Sequence, residues 1–288
     1  MTPPIGLLNE VNPINIIPSV VGTWKMEEPV ATNPVLDTSG NSNNGAATGT
    51  TIVASPFFAG KTCRDANGTG DYITFATTNP LTSLFNGATV ISMYAWVSLD
   101  DVTNMGRLIF LSINAGSTGF SINVESGLLN VLCRSVLTDS VQTYGVTAPS
   151  LTTKHLVYGE VDFVNKVVRI SIDGNPKSTS GVLTFGANSY TVGTPTSPDE
   201  LFGYNLNTQL FNGRSAYYTL LKNKSLSDLE LNSLNNSYPD SSLIFGSICL
   251  RNLYKNTTLK HGYFGEENQN SYLLSSQLNI NMDFINSF

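Results

Sequence analysis

Two carboxylates at strand spacing are the first candidates for chemistry in this chain. Glu160 and Asp162 are two residues apart inside an alternating segment, and a β-strand places such residues on one face. A pair of carboxyl groups about 5 Å apart is what a retaining glycosidase requires. This segment is therefore the place where acid–base chemistry has to be tested.

The other reactive side chains do not form a recognisable pattern. The chain has two histidines, His155 and His261, and three cysteines, Cys63, Cys133 and Cys249. The histidines are far apart, so a zinc site of the usual His/Cys type is not predicted. The wide cysteine spacing indicates neither a disulfide framework nor a metal clip. Buried free thiols in a reducing compartment are the preferred interpretation, and a Cys–His nucleophile pair would need a tertiary coincidence.

Calcium is the one metal that the sequence suggests. Asp37, Asn41 and Asn44 lie in an irregular, turn-rich stretch and offer the carboxylate and amide oxygens that a hard cation prefers. The alternative is that these side chains hydrogen-bond their own turn, as Asx residues commonly do. We favour the alternative because one firm carboxylate is little for a divalent ion. Calcium is accordingly the only cofactor kept as a hypothesis.

Loop-like tyrosines and asparagines are the candidates for sugar binding. Tyr144, Tyr190 and Tyr204 occur in such segments, with Asn188 and Asn205 nearby. Aromatic faces combined with amide hydrogen bonds are a common way to hold a polar ligand. Residues of this kind are frequent on any Asn-rich β surface, so the signal is weak.

The elements that must position these residues are predicted to be short antiparallel strands. Alternating segments bounded by Gly, Asn, Asp, Ser and Pro run from Thr23 to Tyr218, and their frequency predicts an all-β sandwich. Three neighbouring strands are predicted at residues 109–113, 120–124 and 128–132. One helix is predicted from Ser227 to Leu234, because Glu230 follows Ser227 by three residues, as in a capping box. Trp24 and Trp96 are predicted to lie in the core.

The order of four motifs resembles a known family. The stretch from Trp24 to Phe75 contains the turn Asp37-Thr38-Ser39-Gly40-Asn41 and the strand Gly68-Thr69-Gly70-Asp71-Tyr72-Ile73-Thr74-Phe75. It is followed by Thr89 to Trp96, His155 to Gly174 and Phe211 to Leu234. Together these motifs resemble laminin-G-like (concanavalin A-like) jelly-roll domains.

The resemblance implies an antiparallel β-sandwich of the concanavalin A-like jelly-roll type that works in surface recognition. Many family members bind calcium near their edge loops, whereas the hydrolase branch shows a further acid two or three residues after its ExD pair. Here those positions hold Val164 and Asn165. The chain is therefore predicted not to be an enzyme.

Composition excludes several partners. Only 12% of the residues are charged, the formal net charge is −6, and no basic run occurs, so binding to nucleic acid or to anionic lipid is not expected. No apolar stretch approaches the roughly 20 residues of a membrane helix. The start, MTPPIGLLNEVNP, lacks the features of a signal peptide. So few charges are typical either of a surface that contacts other subunits or simply of a β-rich protein encoded by an AT-rich genome, and composition does not separate the two.

Three regions are predicted along the chain. Residues 1–21 contain four prolines and are expected to form an extended N-terminal arm. Residues 22–237 are assigned to the sandwich, and residues 238–288, which lie beyond the family motifs, to a C-terminal extension.

These observations lead to one main hypothesis and two alternatives. The main hypothesis is a non-enzymatic virion structural protein, a bacteriophage capsid decoration, tail or fibre component made in the host cytoplasm. Its arm and extension would bind other virion proteins and copies of itself, and its loops would contact host-surface glycans. The first alternative is a stand-alone lectin-like carbohydrate-binding module. The second is a glycoside hydrolase, for which the acid pair is lacking.

Overall fold

The computed structural model describes residues 19–236, apart from residue 33 and segments 78–79, 115–116, 194–196 and 205–207. Almost all regular structure in this part of the chain is β-strand. The strands are β1 (Val20–Trp24), β2 (Ala46–Thr48), β3 (Thr51–Ala54), β4 (Thr62–Asn67), β5 (Tyr72–Thr74), β6 (Val90–Leu99), β7 (Gly106–Asn114), β8 (Ser117–Glu125), β9 (Leu128–Cys133), β10 (Gln142–Thr147), β11 (His155–Asp162), β12 (Val167–Ile172), β13 (Ser178–Thr179), β14 (Glu200–Leu201) and β15 (Asn212–Lys222).

Two helices accompany the strands. Helix α1 is a single turn, Leu81–Leu84, and α2 spans Asp228–Asn235. The predicted capping box is confirmed, because the Ser227 side chain accepts from the Glu230 backbone and the Glu230 side chain accepts from the Ser227 backbone. Neither of these described helices has the length and hydropathy to cross a bilayer.

The strands form two antiparallel sheets that face each other. One sheet has eight strands in the order β13-β12-β11-β6-β15-β4-β3, with β1 also paired to β15. The other has seven strands in the order β10-β9-β8-β7-β14-β5-β2. The predicted antiparallel β-sandwich is confirmed. The arm before Ser19 and the extension at 238–288 lie outside the described residues, so the predicted domain boundaries stay predictions.

Alternation in the sequence decides which side chains enter the core. In β8 and β9, Ile122, Val124, Leu129 and Val131 point between the sheets, whereas the residues between them point to the opposite face. The three predicted strands at 109–113, 120–124 and 128–132 are confirmed as β7, β8 and β9. Trp24 and Trp96 are both buried, as predicted.

The turn between β8 and β9 fixes their register. Ser126 and Gly127 have φ values of 51° and 76°, and two successive residues with positive φ form the turn that matches the twist of paired strands. As a result Asn123 of β8 lies directly opposite Asn130 of β9. This pairing matters because both side chains point away from the core.

Candidate functional site

Glu160 is fully buried, and other side chains of the chain surround it. Its carboxylate accepts from the Tyr158 hydroxyl, from Arg169 Nη1 and, at 2.6 Å, from Ser225 Oγ. Ser225 belongs to the segment that leads into α2, so this Glu160 cluster (Tyr158, Glu160, Arg169 and Ser225) fastens the helix to the outer face of the eight-stranded sheet. A carboxylate committed to three donors in this way is poorly placed to protonate a substrate.

From the sequence, Asp199 and Glu200 are predicted to be loop charges and Asp228 and Glu230 helix-surface charges, but Asp199 and Glu200 are both fully buried. Asp199 accepts from the backbone N–H groups of Thr82 and Ser112 at 2.8 and 2.7 Å. Burial raises the pKa of the Asp199 carboxyl to about 7, although the two N–H donors oppose the shift. The expectation was wrong because β14 is only two residues long and gives no alternating signal. Asp228 is exposed, as expected of a helix-surface charge, whereas Glu230 is buried because its side chain closes the capping box.

The predicted calcium residues are engaged with the protein itself. Asp37 Oδ1 accepts from the backbone N–H groups of Thr23 and Ser39, and Oδ2 from that of Asn43, each at 2.9 Å. Asn44 Oδ1 accepts from the Asp37 backbone at 2.8 Å. Among the described residues, no group of three or more His, Cys, Asp or Glu side chains could hold a metal ion. Calcium at this turn stays a prediction.

A groove of about 280 Å³ lies beside this turn, between Val20, Val21, Asn41, Asn43 and Leu84. The two asparagine amides donate to the carbonyls of Val20 and Val21, at 2.8 Å in the shortest cases. The predicted site residue Asn41 therefore pins the edge of β1. Because these amides are used internally, the groove shows no polar group that awaits a ligand.

Of the predicted sugar-binding residues, Tyr190 is placed differently from the expectation. Its side chain is fully buried, its hydroxyl lies 3.0 Å from Thr82 Oγ1, and its ring stacks on Phe163. Burial also raises the pKa of this phenol. Tyr190 therefore offers no face to a ligand, because the segment around it folds into the core.

The remaining predicted sugar-binding residues lie apart from one another. Tyr144 lies in strand β10 and not in a loop as predicted; it is half-buried, packs against the core edge and has its hydroxyl 2.6 Å from Ser178 Oγ. Asn188 is exposed. Asn205 lies outside the described residues. Tyr204 alone reaches a surface where several polar groups meet.

That surface is the outer face of the seven-stranded sheet, and we name it the Arg107 face after its central residue. Arg107 of β7 lies opposite Asn123 of β8, which in turn lies opposite Asn130 of β9. Opposite residues of antiparallel strands share a face, so the three side chains form one row. Glu200 of β14 and Tyr204 complete the Arg107 face.

Arg107 is an almost fully buried cation, with 4% of its surface exposed. Its Nε donates to Gln209 Oε1 at 2.6 Å, and its guanidinium carbon lies 4.5 Å from the centre of the Tyr204 ring. Burial lowers the pKa of Arg107 to about 10, against the opposing influence of Tyr204, Glu125 and Glu200. Among the described residues, the arginines that form salt bridges with carboxylates are Arg64, Arg169 and Arg214, and Arg107 is not one of them.

Asn123 is the least satisfied residue of the Arg107 face. Its side chain is fully buried, and within the described ranges neither Oδ1 nor Nδ2 has a hydrogen-bond partner. Such groups are rare, because more than nine in ten buried polar groups are paired. An amide with both of its atoms unpaired marks a place where the described residues do not complete their own hydrogen bonds.

A glycine stands at the far end of the row. Gly145 of β10 lies opposite Asn130, and a Cβ at this position would come within 2.1 Å of Asn130 Oδ1. The absence of a side chain is therefore what lets the Asn130 amide fit against β10. The Arg107 face thus combines an aromatic ring, a cation, carboxylates and amides, a set that can hydrogen-bond a polar ligand.

Sequence reasoning missed Arg107 and Asn123. Asn123 and Asn130 interrupt apolar segments at alternate positions, which does predict that they point away from the core. The alternation does not reveal the strand register that aligns the two asparagines with Arg107. It also does not reveal that the outer face of this sheet is buried. Those depend on strands paired across the sheet.

A second hydrogen-bonded array surrounds His155. Its Nδ1 lies 2.7 Å from Asp173 Oδ2, and its Nε2 lies 2.6 Å from Thr153 Oγ1 and 3.1 Å from Ser150 Oγ. The order hydroxyl–imidazole–carboxylate is that of a nucleophilic triad. Both hydroxyl residues are exposed, whereas triads act where water is excluded, so we interpret the array as an anchor of the loop before β11.

Comparison with known proteins gives a likeness of fold. No protein-family model matches the chain, and no curated protein matches its sequence. The binding domain of Paraclostridial Mosquitocidal Protein 1 matches with a TM-score of 0.55 and 16% identity, over 76% of this chain and 52% of that one. The receptor-binding domain of the botulinum neurotoxin C/D mosaic serotype matches with a TM-score of 0.57 and 13% identity, over 76% and 51%.

A third solved structure is matched over almost its whole length. It is domain 4 of AbnA, a GH43 extracellular arabinanase from Geobacillus stearothermophilus, in complex with arabinotriose, with a TM-score of 0.50 and 16% identity over 75% of this chain and 98% of that one. The chain spans about half the length of the toxin binding domains. The shared feature is the β-sandwich.

Proposed function

We propose that this chain is a non-enzymatic glycan-binding module of the laminin G and concanavalin A type, with its ligand on the Arg107 face. The observation that carries the proposal is the half-buried ring of Tyr204, which lies 4.5 Å from the guanidinium carbon of Arg107 on a face rich in polar groups. Among the proteins of similar fold, the botulinum neurotoxin DC binding domain was solved with SialylT and domain 4 of AbnA with arabinotriose. Both complexes favour glycan recognition by this kind of sandwich.

The non-enzymatic part of the proposal is supported by the state of the acids. Glu160 is held by three donors, and Val164 and Asn165 stand where a further acid would be needed. Incubation with a panel of oligosaccharides should release no reducing ends. Release that is lost on Glu160→Gln or Glu200→Gln would instead assign a hydrolase.

Glycan binding is tested by an array of immobilised oligosaccharides probed with the whole chain. Tyr204→Ala removes the ring that covers Arg107 and should weaken binding about tenfold or more, since an aromatic contact and a hydrogen-bonded network are lost together. Asn175→Ala is the matched control, because Asn175 is exposed in the segment after β12 of the other sheet and its side chain donates to the Ile172 carbonyl. Equal binding by both variants would remove the Arg107 face as the site.

We further propose that the module is a structural component of a virion, a phage capsid decoration, tail or fibre protein. Its support is the low charge content of 12%, which suits subunit interfaces, together with the family resemblance. The mass of the full chain in solution, beside that of residues 20–238, tests the proposal. An oligomer that becomes a monomer on truncation supports it, whereas two monomers favour the stand-alone lectin-like module.

A further inference from the structure

We infer that Asn67 is a site of covalent modification, at which the side-chain amide is converted to an acid through attack by the backbone nitrogen of Gly68. The site lies in the turn after β4, a strand of the eight-stranded sheet, whereas the Arg107 face belongs to the other sheet. The sequence has four Asn-Gly pairs, which begin at Asn44, Asn67, Asn86 and Asn212. The structure singles out the second of them.

The conversion needs water as its only co-reactant. The Gly68 nitrogen gives up its proton and bonds to the amide carbon of Asn67, which closes a five-membered cyclic imide. Nδ2 takes up a proton and leaves as ammonia. Water then opens the imide at one of its two carbonyls and gives either aspartate or isoaspartate, in which the main chain runs through the side-chain carbon. Glycine suits the second position because it has no Cβ to hinder the approach.

The side chain of Asn67 is held beside the peptide with which it must react. Its Oδ1 accepts from the Thr69 backbone N–H at 2.7 Å and from Thr69 Oγ1 at 2.8 Å. An amide bonded to the backbone two residues ahead folds forward along the chain, over the intervening Gly68 peptide. The two donors also stabilise the negative charge that Oδ1 gains when the nitrogen attacks. Because Asn67 is exposed, water has access to it.

The attacking N–H of Gly68 is not committed elsewhere. The N–H groups on either side of it are used, that of Asn67 by Asp71 Oδ2 and that of Thr69 by Asn67 Oδ1. Within the described ranges the Gly68 N–H between them takes part in no hydrogen bond. The φ value of Gly68 is 73°, a left-handed conformation that glycine adopts without strain. No bond therefore has to break before this nitrogen can react.

The glycines of the other three Asn-Gly pairs are held by the fold. The Gly45 N–H donates to the Val35 carbonyl at 2.9 Å. The Gly87 N–H donates to the Tyr190 carbonyl at 2.8 Å. Gly213 is buried in β15, between its partner strands β4 and β6. At these three positions the fold must open locally before the nitrogen can turn to its asparagine.

Peptide mass mapping of the full-length wild type, after incubation at mildly alkaline pH, tests the inference. We expect Asn67 to convert at least about fivefold faster than Asn86, since one net backbone hydrogen bond is worth about 1 kcal/mol, or about fivefold in rate. Asn86 is the matched control, because it is exposed like Asn67 but the N–H of its glycine is bonded. Each conversion adds one negative charge to a chain of net charge −6, so ion-exchange chromatography separates the product, with Asn67→Asp as the standard.

The same incubation in urea removes the fold and should bring the four asparagines to similar rates. Conversion of Asn86 as fast as Asn67 in the folded chain would overturn the inference. A preference for Asn67 that persists in urea would overturn its structural basis, because the cause would then be the local sequence. Thr69→Val keeps the backbone donor but removes Oγ1, and should slow Asn67 while Asn86 keeps its rate. An unchanged rate at Asn67, in a variant that melts like the wild type, would refute the role of the Thr69 hydroxyl.

Discussion

The two sheets of the sandwich carry similar residues on their outer faces but use them differently. In the Glu160 cluster a buried carboxylate meets an arginine, a tyrosine and a serine, and the segment before α2 closes over it. On the Arg107 face an arginine, a tyrosine and a carboxylate again come together, yet the buried amide of Asn123 has no partner in the described part of the chain. The comparison shows that composition does not distinguish the structural cluster from the proposed binding face. What distinguishes them is whether the protein itself completes the hydrogen bonds.

The largest expected effect is at the Glu160 cluster. Glu160→Leu leaves Arg169, Tyr158 and Ser225 without their acceptor, and breaking a buried ion pair should lower the free energy of unfolding by about 3 kcal/mol. Urea denaturation followed by tryptophan fluorescence measures it. A loss below about 1 kcal/mol would mean that the cluster does not hold α2 in place.

The next effect concerns Asp199, which lies beside Glu200 of the Arg107 face but is bonded inward. Its pKa in the folded protein is raised from 3.8 to about 7, so between these values the folded state binds a proton that the unfolded state has lost. The contribution of Asp199 to stability is therefore greatest below pH 4 and falls by about 1.4 kcal/mol per pH unit as the pH rises to 7. Denaturation of the wild type and of Asp199→Asn at several pH values checks this. A slope that persists in the variant would assign it to another group.

A smaller effect is expected at Asp37. Asp37→Ala removes the acceptor of three backbone N–H groups and should cost about 2 kcal/mol of stability, as hydrogen bonds to a charged group do. If Asp37 bonds only to these backbone N–H groups and not to calcium, EDTA should leave the melting temperature of the wild type unchanged. A lower melting temperature in EDTA, restored by calcium, would establish the ion instead.

The smallest effect, and the opposite in sign, is expected at Asn123. Asn123→Leu removes two unpaired buried polar atoms and should leave the stability unchanged or raise it by up to about 1 kcal/mol. Thermal unfolding of Asn123→Leu and of Glu160→Leu, measured side by side, compares the stability changes on the two outer faces directly. A marked loss of stability would show that Asn123 has a structural partner.

Much of the fold could be predicted because local patterns determine it. The alternation in β7, β8 and β9, the turn at Ser126 and Gly127, and the capping box at Ser227 and Glu230 all act within a few residues.

The candidate site could not be predicted in the same way. Tyr204 was among the proposed residues, but Arg107 and Asn123 come together only through strand register. Tyr190 looked like a loop residue and is buried, because contacts distant in sequence with Thr82 and Phe163 decide its position.

The pairing of β1 with β15 has a consequence for how this sandwich can be joined to other sequences. Val20, in the first strand, lies opposite Leu221, in the last one, so the two ends of the sandwich are about one strand spacing, roughly 5 Å, apart. A unit whose ends meet can be spliced into a surface loop of a host protein, or circularly permuted, without stretching either chain. Such grafts would display the Arg107 face on a scaffold of choice.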